Sequence, residues 1–381
     1  MLISCWGLGG EGWIFAGEWG DMRFGFFAVL LGIFVAAVFL FVRIWCILPT
    51  RGLKIAATAL GLCCFGCLFF LRRYMDVAPM PFAIAIYEIG TSWLIFVLYA
   101  LLTIIAMWLL KLVGILPHDI LRNSAVGSAV LFGTVAILLT AGYIHYKHKF
   151  RQEIELRSPK VEAPVKLVML SDMHLGFHIR RPELARWVDM INAENPDLVL
   201  IAGDIVDISA RPLEEGGYAE EFRRIEAPVF ACVGNHEFIS GREDAIRFCR
   251  EAGIRLLMDE KADTLGLTII GRNDASQRNR APLKSMTTDA SGYTILLDHQ
   301  PNHLDEAVDA GIDFQFSGHT HHGQVWPLSL VTDLLFEDAY GPLQKGGTFC
   351  YVTSGLGIWG GKFRIGTRSE YVVATIRPEE K

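Results

Sequence analysis

The stretch "VKLVMLSDMHLG" (residues 165–176) joins a short apolar run to a polar segment that contains Asp172 and His174. The run is rich in Val and Leu and almost continuous, which is typical of a strand that is buried on both faces. It ends abruptly at Ser171, so Asp172 and His174 are predicted to lie just beyond the carboxyl end of the strand. In α/β folds, ligands bind at such strand ends.

The same pattern recurs four times further along the chain. The runs "DLVLIAG" (197–203), "APVFACVG" (227–234), "YTILLD" (293–298) and "IDFQFSG" (312–318) each lead into polar side chains. Helical patterns lie between them, including one that opens at Pro182. Alternating strands and helices predict an α/β domain whose sheets are covered on both faces. The polar residues at the later strand ends are Asp204, Asp207, Asn235, His236, His299, His319 and His321.

The residue types at these strand ends suit metal ions. Carboxylate oxygen comes from Asp172 and Asp204, amide oxygen from Asn235, and imidazole nitrogen from four histidines. One ion takes about four to six donors, so seven donors predict two divalent ions that share a carboxylate. Manganese, iron and zinc all accept such mixed sites. The four histidines are His174, His299, His319 and His321.

The segment "GHTHHGQ" (318–324) has one competing interpretation, a structural zinc loop. Structural zinc usually takes four ligands, often thiolates. None of the cysteines in this half of the chain lies near this segment. Two ions about 3.5–4 Å apart, by contrast, can hold a phosphoryl group and activate a water molecule for in-line attack. The sequence therefore favours a two-metal centre for phosphoester chemistry.

The motifs "SDMHLG", "GDIVD", "GNHE", "LDHQP" and "GHTHHGQ" resemble, in this order, the five motifs of the calcineurin-like metallophosphoesterases. The resemblance covers about residues 165–376. It implies a four-layer α/β/β/α sandwich. It further implies that Asp172, His174 and His321 bind one metal ion. It assigns Asn235, His299 and His319 to the other ion, with Asp204 bridging the two.

The same resemblance implies roles for two residues that are not ligands. His236 would donate a proton to the leaving oxygen or stabilise the transition state, and Asp207 would orient and charge it. "SGHTHHGQ" and the C-terminal "RIGTRSEYVVATI" are most similar to the membrane-associated bacterial branch. Some members of that branch act on lipid-linked phosphoesters or on UDP-2,3-diacylglucosamine. The chain departs from the branch at His322, where glycine is usual.

Two further hypotheses concern side chains near the motifs. The loop "GRNDASQRNR" (271–280) carries Arg272, Arg278 and Arg280, which could clamp a phosphate or could simply be solvated. His322 could touch the substrate or support a ligand from behind. The sequence does not decide between these alternatives.

Four long apolar runs occupy the N-terminal part of the chain, and each approaches the ~20 residues that cross a bilayer as a helix. They predict a four-helix transmembrane region. Met22 would be a natural start, so residues 1–21 are expected to be an extension of uncertain origin. The runs lie at about 24–42, 53–71, 90–110 and 125–144. The predicted organisation is an N-terminal extension (1–23), a transmembrane region (24–146), a charged connector (147–164) and a metallophosphoesterase domain (165–381).

Charge and cysteine usage restrict the partners and the compartment. The net charge is −6, and the domain has no basic, aromatic-interleaved stripe, which argues against nucleic acid as a partner. Basic residues are nearly balanced between the two sides of the predicted spans, so the positive-inside rule scarcely discriminates. An odd number of thiols (Cys232, Cys249 and Cys350) favours a reducing compartment. We predict a multi-pass membrane protein whose catalytic domain faces the cytoplasm.

The function predicted from these observations is a membrane-anchored phosphoesterase that cleaves a phosphodiester or pyrophosphate bond, with a lipid-linked substrate favoured. A membrane sensor that binds a nucleotide or lipid through a slow metal site is the alternative. The apolar runs lack paired charges, which argues against a transporter. Oligomeric state is left open.

Overall fold

The computed structural model describes residues 18–277, 279–288 and 292–379. The chain divides into two compact units, Met1–Tyr143 and Ile144–Lys381. Most of the predicted N-terminal extension, up to residue 17, lies outside the described residues. The rest of it belongs to the first helix, which begins at Glu18, six residues before the predicted start of the membrane region.

Four long helices make up the N-terminal part of the chain, as the four apolar runs predicted. Thr50 caps the second of them by accepting a hydrogen bond from the Leu53 N–H. Among the described residues, three segments are long and apolar enough to cross a membrane: Arg51–Leu68, Met80–Leu112 and Ala125–Lys147. Among the residues of the first helix whose side chains are described, Phe34–Ile47 form a shorter apolar segment. The helices are α1 (Glu18–Ile47), α2 (Arg51–Arg73), α3 (Met80–Leu112) and α4 (Ala125–Lys147).

The C-terminal unit contains two six-stranded sheets in its described residues. The first has the order β1-β12-β2-β3-β4-β5 and the second β10-β11-β9-β8-β7-β6. Their strands are β1 (Lys149–Ser158), β2 (Val165–Leu170), β3 (Leu198–Ala202), β4 (Val229–Cys232), β5 (Ile254–Leu256), β6 (Glu260–Thr264), β7 (Leu267–Gly271), β8 (Tyr293–Leu297), β9 (Phe314–Ser317), β10 (Gly341–Lys345), β11 (Thr348–Val352) and β12 (Ser369–Pro378).

The described part of the C-terminal unit contains eight α-helices, some of which cover the outer faces of the sheets. They are α5 (Arg181–Ala193), α6 (Arg211–Gly216), α7 (Tyr218–Phe222), α8 (Asn235–Ile239), α9 (Arg242–Glu251), α10 (Leu283–Thr287), α11 (Asp305–Asp309) and α12 (Leu328–Leu335), with a 3₁₀ turn, η1, at His321–Gly323. Pro182 lies in the first turn of α5, where proline needs no hydrogen-bond acceptor for its nitrogen.

Alternation along the buried strands creates the layers. On β2, Leu167 and Met169 enter the core between the two sheets, while Val168 and Leu170 enter the core beneath α5, α7 and α9. On the second sheet, Leu296 faces a third cluster that includes Leu283 of α10 and Ala307 of α11. Successive side chains of a strand point to opposite faces, so apolar runs are required wherever both faces are covered. The predicted four-layer α/β/β/α sandwich is confirmed.

The predicted charged connector is wrong over most of its length, because Lys149–Ser158 form β1. This strand pairs in parallel with β12 at the edge of the first sheet. Its side chains alternate between partly buried and exposed, and the exposed face carries Glu153 and Glu155. Charges on an edge strand discourage pairing with other chains. Because these charged residues dominate the composition of the segment, the sequence predicted a connector instead of a strand.

Parallel pairing fixes where the strands end. β2, β3 and β4 are parallel neighbours in the first sheet, and β8 and β9 are parallel neighbours in the second. The residues that follow these five strands therefore emerge at the carboxyl edges of the two packed sheets.

Candidate metal centre

The five strand ends bring the seven predicted ligands together. Asp172, His174 and His321 form one group whose potential ligand atoms all lie within 4.8 Å of one another. A second group consists of Asp204, His299 and His319, within the same limit. Both groups combine residues from the first sheet with residues from the second, so the site exists only because the sheets are packed face to face.

In the first group, two imidazoles converge on one carboxylate. His321 Nε2 lies 3.3 Å from Asp172 Oδ1 and 3.0 Å from His174 Nε2. The Asp172 carboxylate also accepts the backbone N–H of His319, 3.1 Å from each oxygen. This bond fixes the orientation of the carboxylate, so one oxygen faces the two rings.

Asp204 lies between the two groups. Its Oδ2 is 3.1 Å from His299 Nε2 in the second group and 3.7 Å from His174 Nε2 in the first. The backbone N–H of His236 holds Asp204 Oδ1 at 2.9 Å. One oxygen that faces both sets of ligands has the geometry required of a bridging carboxylate.

Asn235 belongs with the second group. Its Oδ1 lies 2.9 Å from His319 Nδ1. An amide oxygen and an imidazole nitrogen at this separation suit two ligands of the same ion. Asn235 starts the short helix α8 directly after β4, so the strand end places it opposite the loop that follows β9.

Hydrogen bonds set the tautomer of one ligand. His299 Nδ1 lies 2.8 Å from the carbonyl oxygen of Ala202, which can only accept, so Nδ1 carries the proton. In the neutral ring, Nε2 then carries the lone pair and faces Asp204. Among the described residues this buried nitrogen has no hydrogen-bond partner. A proton or a metal ion between Nε2 and the carboxylate oxygen satisfies both atoms, and the oxygen and nitrogen donors around them fit a divalent metal ion.

Two glycines allow the carboxylates to approach the backbone closely. A Cβ on Gly318 would lie 2.2 Å from Asp172 Oδ2, and one on Gly234 would lie 2.2 Å from Asp204 Oδ1. Any side chain at these positions would displace a ligand oxygen. The glycines of "GNHE" and "GHTH" are therefore required by the crowding at the centre.

Backbone strain is concentrated at the same place. Five of the seven predicted ligands adopt positive φ, a conformation that costs a non-glycine residue on the order of 1–3 kcal/mol. The surrounding packing must compensate for this cost. These five are Asp172, His174, Asp204, His319 and His321.

Electrostatics at the centre favour positive charge. Burial opposes ionisation of Asp172 and Asp204, but the adjacent histidines outweigh it and hold the pKa of both carboxyls well below the usual range. Burial lowers the pKa of His299, but Asp204 outweighs that effect and raises it. Burial and the neighbouring His299 lower the pKa of His319 to about 3, which leaves it a neutral ligand. Two buried carboxylates thus create a site that attracts cations.

His236 and Asp207 lie beside the first group. His236 Nδ1 is 3.1 Å from the carbonyl oxygen of Asp207 and 3.4 Å from its Oδ1. The same Oδ1 lies 3.4 Å from His174 Nδ1. Asp207 was predicted to orient His236, and the structure places its carboxylate against the rings of both His236 and His174. A carboxylate on Nδ1 of His174 leaves Nε2 as the atom that can bind metal.

Comparison with known proteins identifies this architecture. A family model described as calcineurin-like phosphoesterase matches residues 165–323. The domain belongs to the calcineurin-like metallophosphoesterases. The match ends at the last residue of η1, so it includes all nine residues predicted for the site.

Relatives of the metallophosphoesterase domain occur in bacteria and animals. A Campylobacter jejuni protein named "Uncharacterized metallophosphoesterase Cj0846" is 29% identical over 236 residues, 59% of this chain and 63% of the relative. An Aquifex aeolicus metallophosphoesterase is 29% identical over 259 residues, 64% of this chain and 98% of the relative. A Danio rerio "Transmembrane protein with metallophosphoesterase domain" is 31% identical over 227 residues, 54% of this chain and 52% of the relative. The chain spans less than two thirds of the length of the Campylobacter and Danio relatives.

Glu237 is a residue of the metallophosphoesterase domain whose role was not predicted from the sequence. Its buried carboxylate accepts four backbone N–H groups: those of Gly234, Asp204, Ile205 and Val206, at 2.7–3.1 Å. These bonds join the loop after β3 to the loop after β4. Glu237 therefore fixes the backbone that carries Asp204 and Asn235. The feature of the sequence that could have indicated this role is the position of Glu237 next to His236 in "GNHE".

Replacing Glu237 with glutamine is expected to lower the melting temperature of the protein by about 4–10 °C. The amide group would face backbone donors, and each buried donor left without an acceptor costs about 1–3 kcal/mol. Thermal unfolding of the purified chain measures the effect. Glu243→Gln, at an exposed position on α9, is the matched control and should melt within about 1 °C of the parent. Equal melting temperatures for the two variants would contradict this role.

Arg364 is a second residue that the sequence did not reveal. Its guanidinium is fully buried and donates to the carbonyl oxygens of His321 (2.8 Å), Ser354 (2.5 Å) and Gly357 (2.9 Å). Arg364 thus joins the loop that contains His321 to the loop after β11. A charged side chain in "RIGTR" looks like a surface residue, and only the tertiary contacts show otherwise.

The structure does not support the phosphate-clamp hypothesis for the arginine loop. Arg272 pairs with Glu306 (2.6 Å) and Asp298 (3.4 Å), and Arg280 pairs with Asp298. Both guanidinium groups therefore pair with the carboxylate of Asp298, the residue that precedes His299. Arg278 lies outside the described residues.

His322 contacts Tyr340 and Asp333. Its ring stacks on Tyr340, with centroids 4.6 Å apart, and its Nε2 lies 3.3 Å from Asp333 Oδ1. These contacts attach the motif to α12, which fits a supporting role.

Proposed function

We propose that the protein is a membrane-anchored phosphoesterase that hydrolyses a phosphodiester or pyrophosphate bond at a two-metal centre. The observation that carries the proposal is the position of Asp204 Oδ2, which faces a ligand nitrogen of each group at 3.1 and 3.7 Å. A carboxylate shared by two nitrogen-rich groups is the arrangement that supports in-line phosphoryl chemistry.

The ligand roles follow from the two groups. Asp172, His174 and His321 would hold one divalent ion; Asn235, His299 and His319 would hold the other; and Asp204 would contribute to both. Manganese, iron and zinc suit such mixed oxygen and nitrogen donors. Bound there, the ions supply polarisation of the phosphoryl oxygens and lower the pKa of a coordinated water.

His236 is proposed to protonate the leaving oxygen. Its Nδ1 faces the backbone carbonyl of Asp207, an acceptor, so Nδ1 carries a proton and Nε2 is the ring atom available for proton transfer. Asp207 Oδ1 lies 3.4 Å from the same Nδ1, so the backbone and the side chain of Asp207 together orient the ring. A histidine with this support suits a general acid.

The substrate is proposed to be amphiphilic, a lipid-linked phosphoester of which UDP-2,3-diacylglucosamine is one example. Support comes from the three candidate membrane spans and from the Danio rerio relative, whose name includes "Transmembrane protein". We further propose that the domain faces the cytoplasm, a reducing compartment compatible with its three buried, unpaired thiols, Cys232, Cys249 and Cys350.

Metal removal tests the proposal directly. The full chain, purified in detergent and treated with a chelator, is expected to lose at least about 99% of its turnover of bis(4-nitrophenyl) phosphate, because the ions supply much of the catalysis. Adding back manganese, iron or zinc separately should restore turnover, with about two ions per chain by elemental analysis. Two bound ions without turnover of this diester or of any phosphoester in a lipid extract would favour the sensor alternative.

A further inference from the structure

Helix α12 of the metallophosphoesterase domain has its apolar side chains on the outside. Leu334 is 85% exposed, Leu335 59% and Leu330 54%, whereas the small polar Ser329 is the residue that α12 buries. A surface helix of a globular domain normally turns its leucines inward. The reversal indicates that the leucines face an apolar partner.

The exposed apolar side chains of the domain are concentrated at this helix. Among the described residues between 149 and 379, eight large apolar side chains are exposed, and two of them, Ile239 and Leu265, lie elsewhere. A contiguous cluster of this kind marks an interaction surface rather than ordinary scatter. The other six form the apolar ridge: Trp326, Leu328, Leu330, Val331, Leu334 and Leu335.

The apolar ridge is held rigidly beside the metal centre. A Cβ on Gly323 would lie 2.3 Å from Ser329 N, so η1 and the start of α12 are in tight contact. His322 reaches Asp333 in the middle of α12. At the far end, the Phe336 ring lies edge-on to the predicted ligand His319, with centroids 6.2 Å apart. Whatever binds the ridge therefore lies next to the catalytic groups.

The covalent structure of the chain restricts which partner is within reach. The last candidate span ends at Lys147, and β1 begins at Lys149, so His148 is the whole connection. A domain tethered by one residue stays within reach of the bilayer surface. Trp326 adds an indole to the ridge, the side chain that is enriched at membrane–water interfaces.

We propose that the apolar ridge docks into the interfacial layer of the bilayer that holds the spans, with its leucines among the lipid acyl chains. Interfacial helices with an apolar face lie in the membrane plane in this way. Docking would place the metal centre at the level of phosphoester groups on the membrane surface. The surface contact is independent of hydrolysis, so it can hold or fail whether or not the protein is a phosphoesterase.

Photo-crosslinking of the full chain in proteoliposomes tests this contact. The photoreactive residue p-benzoylphenylalanine replaces Leu334 in one variant and Leu330 in a second. If one variant misfolds, the other still tests the contact. The matched control carries it in place of Leu265, an exposed leucine (54%) on the turn between β6 and β7. After irradiation, mass spectrometry of the modified peptide measures the yield of phospholipid adducts.

We expect at least about tenfold more phospholipid adduct at positions 330 and 334 than at position 265. Equal yields at all three positions would overturn the proposal, because contact would then be unspecific. Crosslinked dimers of the chain in place of lipid adducts would also overturn it and would make the ridge an interface between two copies.

Discussion

The Asp204→Asn variant is expected to lose at least about 1,000-fold in kcat/KM on bis(4-nitrophenyl) phosphate, the upper end of the losses seen when one preorganised electrostatic group is removed. Asp204 Oδ2 is the oxygen that faces both ligand groups. An amide keeps the size of the side chain but removes the negative charge and one acceptor. Both ions would lose a ligand, so bound metal should fall from about two ions per chain to less than one.

Asp189→Asn is the matched control for Asp204→Asn. It makes the same chemical change on an exposed carboxylate of α5, which pairs with Arg224 at the surface. Elemental analysis and kcat/KM should both stay within about twofold of the parent, since an exposed ion pair contributes little. If Asp204→Asn kept two ions and full activity, the proposed two-metal centre would be wrong.

Replacing His236 with glutamine is expected to lower kcat by about 100- to 10,000-fold, the usual contribution of a general acid. Metal content should remain near two ions per chain, because His236 is not among the proposed ligands. The loss should depend on the leaving group. A 4-nitrophenolate departs without a proton, whereas an alkoxide requires one, so an alkyl phosphodiester should suffer the larger loss.

The leaving-group comparison separates proton donation from other roles of His236. Equal losses for the aryl and alkyl substrates would mean that His236 stabilises the transition state without donating a proton. Loss of bound metal would make it a ligand instead. His303→Gln, an exposed histidine, is the control and should leave kcat and the ratio between the two substrates unchanged.

The ligand set could be predicted from the sequence because it depends on local rules. An apolar run that ends in a polar motif places that motif at a strand end, and parallel strands present their carboxyl ends together. Five such runs were enough to predict that Asp172, Asp204, Asn235, His299 and His319 meet. Order along the chain and residue type carried this information. The strand β1 escaped prediction for the same reason, since its charged face concealed a partly buried alternation.

Contacts between distant segments were decided by the tertiary structure. Arg364 looks like a surface residue in the sequence. The loop after β11 packs against the loop that contains His321 and buries Arg364, whose guanidinium donates to backbone carbonyl oxygens of both loops. Glu237 acquires its four backbone donors because two sheet-end loops approach each other. Residue type predicts neither outcome.

Residue order and composition were enough to predict the fold class, the apolar N-terminal helices and the chemical identity of the donors, because periodicity and composition are local properties of the chain. The tertiary structure decided which groups the donors form, that Asp207 faces both His174 and His236, and that α12 turns its leucines outward beside His322. Distances across two packed sheets depend on how all the layers fit together, and no local pattern encodes them.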